Sequence, residues 1–259
     1  MKDLEGKVVL VTGGGQGIGR AIAFAFALQG SRVVISGRRK EILDAAVEEF
    51  RRDDLQVLAL ACDITQKNQV EALDRQIQGQ LGPVQILVNN AGMAPAVSFL
   101  SMEDKLWEEV LKVNLNGTYN CCKVFLPAMV AARWGRIINI ASIVAKVSYS
   151  HISAYASSKH AVLGLTRSLA VEFARSGVTV NAICPGYVDT ELTRENIRLM
   201  AEKTGKSAED VLGRFKATSP QNRLISPDEI AHLAIALACD RARGITGQAI
   251  NVDGGAVLA

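Results

Sequence analysis

Runs of like charge are missing from this chain: nowhere do five acidic or five basic residues stand together, and the formal net charge is only +3. Aromatic residues make up just 5% of the sequence, and no basic stretch is interleaved with them. Nucleic-acid surfaces need concentrated positive charge and stacking rings, so that class is excluded. Cysteine is sparse and unpatterned. Cys62, Cys121, Cys122, Cys184 and Cys239 are odd in number and contain no C-x-x-C spacing. That argues against a disulfide framework and for reduced, buried thiols in a cytoplasmic protein. His151, His160 and His232 share no ligand spacing and no carboxylate-rich partners, so no catalytic metal is expected. His151 stands four residues before Tyr155, either edging a substrate pocket or facing solvent. Membrane-length apolar runs are also lacking. The opening MKDLEGKVVLVTGG holds a strand-length run between charge and glycine, neither a signal peptide nor a membrane span.

What the 259 residues do contain is a regular alternation, with 49% hydrophobic and 21% charged residues, the balance of a globular core. KVVLVT, RVVISG, QVLALA, QILVNNAG, RIINIAS, VTVNAICPG and GQAINVDGG are short apolar runs. Nearly every one leads into a longer segment of helical period, including one from Met102 to about Ala132. The runs are continuous in Val and Ile, as expected of strands covered by helices on both faces. The pattern predicts an α/β fold with a doubly wound parallel sheet (a Rossmann fold) in three layers, one domain over 1–259.

After the first strand comes TGGGQGIG. Ile18 occupies the place of the last glycine in G-x-G-x-x-G, whereas Thr12, Gly13, Gly17 and Gly19 fit Thr-Gly-x-x-x-Gly-x-Gly. In this fold such a turn admits a pyrophosphate, because small residues let the backbone approach and the helix N-terminus favours an anion. Gly13, Gly15, Gln16, Gly17, Ile18 and Gly19 are the candidate contacts. The second strand should end at the adenosine ribose. An acidic residue there suits NAD and an arginine suits NADP. Gly37 stands where the acid is expected, followed by Arg38 and Arg39, so NADP(H) is favoured over NAD(H), with Arg38 the better phosphate contact. The same arginines would also serve simply to begin a surface helix. Asp63, beside Ile64 in CDIT, either meets the adenine amino group or caps the next helix.

SAYASSKHAVLGLT carries Tyr155 and Lys159 four residues apart, on one helical face. Alone, the pair reads as an amphipathic helix whose polar tips reach water. The wider set decides the matter. TGGGQGIG, NNAG (Asn89–Gly92), Asn114 in KVNLNG, Ser142 in NIAS, YASSK (Tyr155–Lys159) and PGYVDT (Pro185–Thr190) occur in that order. Together they resemble the short-chain dehydrogenase/reductase family, in its short single-domain branch, over essentially the whole chain.

The resemblance implies a catalytic set of Asn114, Ser142, Tyr155 and Lys159. Tyr155 would be the general acid in ketone reduction. A free phenol has a pKa of about 10, too high for easy proton exchange near neutrality. Lys159 would lower it and bind the nicotinamide ribose, Ser142 would hold the substrate oxygen, and Asn114 would support a relay water. Ala156, Ser157 and Ser158 would permit close packing between Tyr155 and Lys159. Asn90, Ala91 and Gly92 would flank the adenine side of the cofactor, with Asn89 supporting the sheet or satisfying backbone groups. Pro185, Gly186 and Val188 would line the nicotinamide, and Thr190 would contact its carboxamide or a phosphate.

Residues 190–223 would form a flap over substrate, with Val144 and Tyr187 as contacts beside Ser142 and Tyr155. Ile143, Val144, Val147 and Ile152 make that pocket apolar, which disfavours a small free acid, although Lys146 keeps that alternative open. The expected substrate is a hydrophobic ketone or a 3-oxoacyl thioester. Arg133 and Arg175 add weak support for a carrier-protein-bound form. NAD-dependent oxidation of a secondary alcohol or hydroxyacyl group is the alternative, and a non-catalytic dinucleotide sensor a remoter one. A homotetramer is expected, paired through the helices around Asn114 and Tyr155.

Overall fold

The computed structural model describes residues 2–258; Met1 and Ala259, the ends of the expected 1–259 domain, lie outside the described residues. Seven strands form one parallel sheet: β1 (Val8–Thr12), β2 (Arg32–Gly37), β3 (Val57–Ala61), β4 (Ile86–Asn89), β5 (Gly135–Ile140), β6 (Val178–Pro185) and β7 (Ala249–Val252). The strand order is β3-β2-β1-β4-β5-β6-β7. The chain therefore reverses its winding between β1 and β4, and a crevice opens at the carboxyl ends of those two strands.

The continuous Val/Ile runs are explained by burial on both faces. Val9, Val11, Val33 and Ile35 pack under α1 (Gly17–Leu28), α2 (Lys40–Arg52) and α9 (Pro227–Ala238). Their neighbours Val8, Leu10 and Val34 point the other way, under α3 (Lys67–Leu81), α5 (Gly117–Ala131) and the far part of α6 (Ser153–Phe173). Register pins the alternation: Val9 pairs with Val33 and Val11 with Ile35. A slip of one residue would send each set to the wrong layer. At α9 a capping box on Ser226, with Pro227 opening the helix, sets the start.

The long helical stretch expected from Met102 is interrupted. α4 (Asp104–Leu111) passes through a π-helical turn, Lys112–Asn116, before α5 begins. The turn inserts a residue into the ladder and carries Asn114, which is 1% exposed. The segment expected to be a flap forms two helices, α7 (Glu191–Thr204) and α8 (Ala208–Ala217). Its neck is closed by backbone bonds: Ile225 N–H donates to the Tyr187 carbonyl and Asp189 N–H to the Ile225 carbonyl, each at 2.9 Å.

Candidate active site

At the crevice, the end of β1 is braced from β4. The Thr12 hydroxyl oxygen accepts from the backbone N–H of Asn90 at 3.0 Å and of Ala91 at 3.1 Å. The Asn90 amide in turn donates to the carbonyls of Thr12 and Gly13, at 3.0 and 3.1 Å. Asn90 rather than Asn89 thus satisfies the backbone; the Asn89 amide donates to Asn139 Oδ1 at 2.8 Å inside the core. Gly13 has φ +64°, and a Cβ on Gly19 would come within 2.3 Å of the Gly13 carbonyl oxygen, so both need glycine.

Gln16, which precedes α1, makes no side-chain cap, and no acidic residue occupies the first turn. The free N–H groups of α1 therefore face the crevice without an internal acceptor, the donor set a pyrophosphate requires. Thr190 stands over the same turn: a Cβ on Gly17 would lie 3.3 Å from its methyl group. Two motifs separated by most of the chain meet here. The Gly15 backbone is packed beside Ile42.

Arg38 and Arg39 are exposed where β2 ends, and Arg39 donates to Gln16 Oε1 at 3.3 Å, at the lip of the glycine turn. Asp63 does not cap α3. Its carboxylate accepts from Thr65 N–H at 2.9 Å, ahead of the true N-cap, Gln66. Ile64 turns inward against Gly117, and Asn120 donates to its carbonyl at 2.9 Å.

Beyond the end of β5, Ser142 sits in extended backbone, its hydroxyl accepting from Val144 N–H at 3.3 Å. Tyr155 is in the first turn of α6 and Lys159 lies one turn on. The Lys159 ammonium is 5.8 Å from the Tyr155 ring centre and donates to the Ile140 carbonyl at 2.8 Å. Gly92 makes room for this group. A Cβ there would lie 3.1 Å from Asn114 Oδ1 and 3.7 Å from Lys159 Nζ. The Asn114 side chain is fully engaged: Oδ1 accepts from Met93 N–H at 2.8 Å, while Nδ2 donates to the Met93 carbonyl and to Ser158 Oγ, each at 2.9 Å. Ala156 and Ser158 are buried between Tyr155 and Lys159, as close packing requires, whereas Ser157 faces outward.

Burial dominates the electrostatics of this group. It pushes the Tyr155 phenol above its ordinary value, with Ser142 opposing and Cys184 and Tyr187 reinforcing. It also pulls Lys159 down to about 8, against the attraction of Cys184. The group that opposes the rise of the phenol is Ser142, through its hydrogen bond, and not Lys159.

Val144 is buried with Ile143 and Val257, against Val147, Ile152 and Tyr155, so it backs the site from behind. Tyr187, just past β6, stacks on Phe215 of α8 with ring centres 4.4 Å apart. Lys146 donates to the Ala249 carbonyl at 2.8 Å, on β7. His151 is exposed, with φ +69°. Arg133 and Arg175 meet at the far edge of the sheet, where β5 and β6 begin. One contributor went unseen in the sequence. The Asp253 carboxylate accepts from Gly255 and Val257 N–H, each at 2.9 Å, and so folds the C-terminal segment onto the Ser142 turn. The DGG turn in NVDGG was the available signal. Among the described residues, no group of three or more His, Cys, Asp and Glu could hold a metal, and no helix is long and apolar enough to cross a membrane. All five cysteines are buried thiols outside any disulfide.

Known proteins resemble this chain over nearly its whole length. The chain is similar to D-β-hydroxybutyrate dehydrogenase of Cupriavidus necator, 35% identical over 97% of this chain and 98% of that one. It is also similar to the 3-oxoacyl-[acyl-carrier-protein] reductase FabG of Thermotoga maritima, 34% identical over 98% and 99%. A crystal structure of actinorhodin polyketide ketoreductase with NADPH superposes with a TM-score of 0.95, at 35% identity over 100% of both chains. A family model described as short chain dehydrogenase matches residues 7–200. On these matches the chain belongs to the short chain dehydrogenase family of oxidoreductases.

Proposed function

We propose that this protein reduces a hydrophobic ketone or 3-oxoacyl thioester with NADPH. One observation carries the reading: Ser142, Tyr155 and Lys159 converge at the strand ends beside a helix N-terminus that lacks any cap of its own. NADP(H), when bound, supplies the hydride. The α1 N–H groups receive its pyrophosphate, and Arg38 and Arg39 neutralise its 2′-phosphate where Gly37 leaves no repelling carboxylate. Asp63, Asn90, Ala91 and Gly92 border the adenosine side, and Pro185, Gly186, Val188 and Thr190 the nicotinamide side.

Ser142 holds the ketone oxygen against Tyr155, whose phenol gives up its proton as the alkoxide forms. Lys159, cationic below about 8, offsets the phenolate left behind and binds the nicotinamide ribose. Asn114 acts by position, bracing Ser158 and the Gly92–Met93 segment around the ammonium, and so keeps a proton path from Lys159 to solvent. The apolar surroundings of Val144 and Ile152 suit an alkyl or aryl substrate.

A second reading, NAD-dependent oxidation of a hydroxyacyl group, is favoured by the similarity to D-β-hydroxybutyrate dehydrogenase. Against it, the Lys146 ammonium is drawn toward β7, where it donates to the Ala249 carbonyl. Carrier-protein delivery draws no support from Arg133 and Arg175, which lie at the far edge of the sheet from Tyr155 in the same subunit. Exposed apolar side chains on the two long helices, Tyr119 (47%) and Val171 (81%), support a homotetramer. Buried thiols outside any disulfide support a cytoplasmic setting.

Titration with NADPH and NADH, followed by turnover of acetoacetyl-coenzyme A and of 3-hydroxybutyrate, separates the readings. Tighter NADPH binding with thioester reduction supports the ketoreductase. Preferred NADH with 3-hydroxybutyrate oxidation supports the alternative.

A further inference from the structure

Tyr187 is more firmly held than a surface tyrosine needs to be. Its backbone carbonyl accepts from Ile225 N–H at 2.9 Å, its neighbour Val188 bridges to Ile225, and its ring lies on Phe215 at 4.4 Å and 30°. The preceding residue is locked too, since a Cβ on Gly186 would come within 3.0 Å of Asp253 Cβ. Backbone and ring are thus fixed from three directions: the flap neck, α8 and the C-terminal turn. Yet among the described residues the phenol oxygen makes no hydrogen bond, and the side chain is only half-buried. A phenol fixed in place yet open at its tip can meet a ligand without first being ordered.

Tyr187 stands just past the end of β6, which pairs in register with β5, so it lies beside the Ser142 turn that follows β5. It is also near enough to Tyr155 to help raise that phenol. A 3-oxoacyl thioester carries two carbonyls separated by a single methylene. With the ketone oxygen held by Ser142 and Tyr155, the thioester oxygen must lie a short step away, toward the flap.

We propose that Tyr187 donates a hydrogen bond to the thioester carbonyl of a 3-oxoacyl substrate, with Phe215 as the positioning residue that aims it. This rests on the ketoreductase reading above and sharpens it. The protein would then distinguish a 1,3-dicarbonyl substrate from a simple ketone of similar size by one hydroxyl group. A lost hydrogen bond that leaves a substrate carbonyl unpaired in the site corresponds to about a tenfold change in kcat/KM.

The test compares Tyr187→Phe with the wild type on two substrates, 3-oxooctanoyl-coenzyme A and 2-octanone, with NADPH. Phenylalanine keeps the stack on Phe215 and removes only the hydroxyl. The ratio of kcat/KM for thioester over ketone is expected to fall about tenfold, carried mainly by KM for the thioester. Phe215→Leu should lower the same ratio by less, and Phe215→Tyr should restore it. An unchanged ratio, whether both rates fall together or neither falls, overturns the inference while leaving the ketoreductase reading intact. A wild type that reduces the ketone but is inert toward the thioester overturns the substrate reading itself, and this inference with it.

Discussion

The floor of the crevice and α7, in the segment proposed as a flap, are held together by opposite means. Beneath, Thr12, Asn90, Asn114, Ser158 and Lys159 form hydrogen bonds out of water, several with residues tens of positions away in sequence. Above, α7 is held by exposed pairs such as Arg198 with Glu195 and Glu202, all on one helix. Its Leu192, Leu199 and Met200 are left largely in solvent, and only Ile197 is buried. Buried polar networks lose heavily when one member is removed, whereas exposed ion pairs contribute little. The difference separates two tasks. Proton and hydride transfer need fixed geometry, while admitting different substrates needs a cover that can open cheaply.

Substitutions can break this comparison. The largest effect should come from the floor. Lys159→Met keeps the volume but removes the ammonium, and kcat/KM should fall on the order of 1,000-fold in steady-state assays with NADPH. A fall below tenfold would detach Lys159 from the proton path. At the edge of the floor, Arg38→Asp should shift the ratio of NADPH to NADH affinity by about 100-fold toward NADH, measured by titration.

A pH profile sharpens the electrostatic side. Burial pulls Lys159 down to about 8, and the proposed role in reduction requires its charged form. The kcat/KM for reduction should therefore be level on the acid side of about 8 and fall as pH rises through it. A profile still level well above that value would contradict a cationic role. The smallest effect belongs to the flap: Arg198→Ala should move the thermal midpoint by less than about 2 °C and leave kcat nearly unaltered.

The sequence was most legible where one local signal suffices. RVVISG reads as a strand and KEILDAAVEEFRR as a helix, and β2 and α2 occupy those same residues. Tyr155 and Lys159 share a helical face by their spacing, but only the family resemblance singled them out together with Ser142. What stayed hidden depends on contacts between distant segments. Nothing local announces that the helix at Asn114 takes a π turn, or that Asn90 rather than Asn89 braces Gly13. Asp63 looked equally suited to two roles, and the choice of Thr65 over the helix start is set by how the chain leaves β3. The burial that raises Tyr155 arises where it packs against the Ile143, Val144 and Val257 cluster, which joins distant segments and which no spacing rule contains.

The most direct test of the proton assignment is a single turnover of NADPH-loaded protein with acetoacetyl-coenzyme A, wild type beside Tyr155→Phe. The account predicts similar NADPH affinity in both and a loss of about 1,000-fold or more in the rate of NADPH oxidation in the variant. Full-rate oxidation by Tyr155→Phe would contradict it, and would move the acid elsewhere in the crevice.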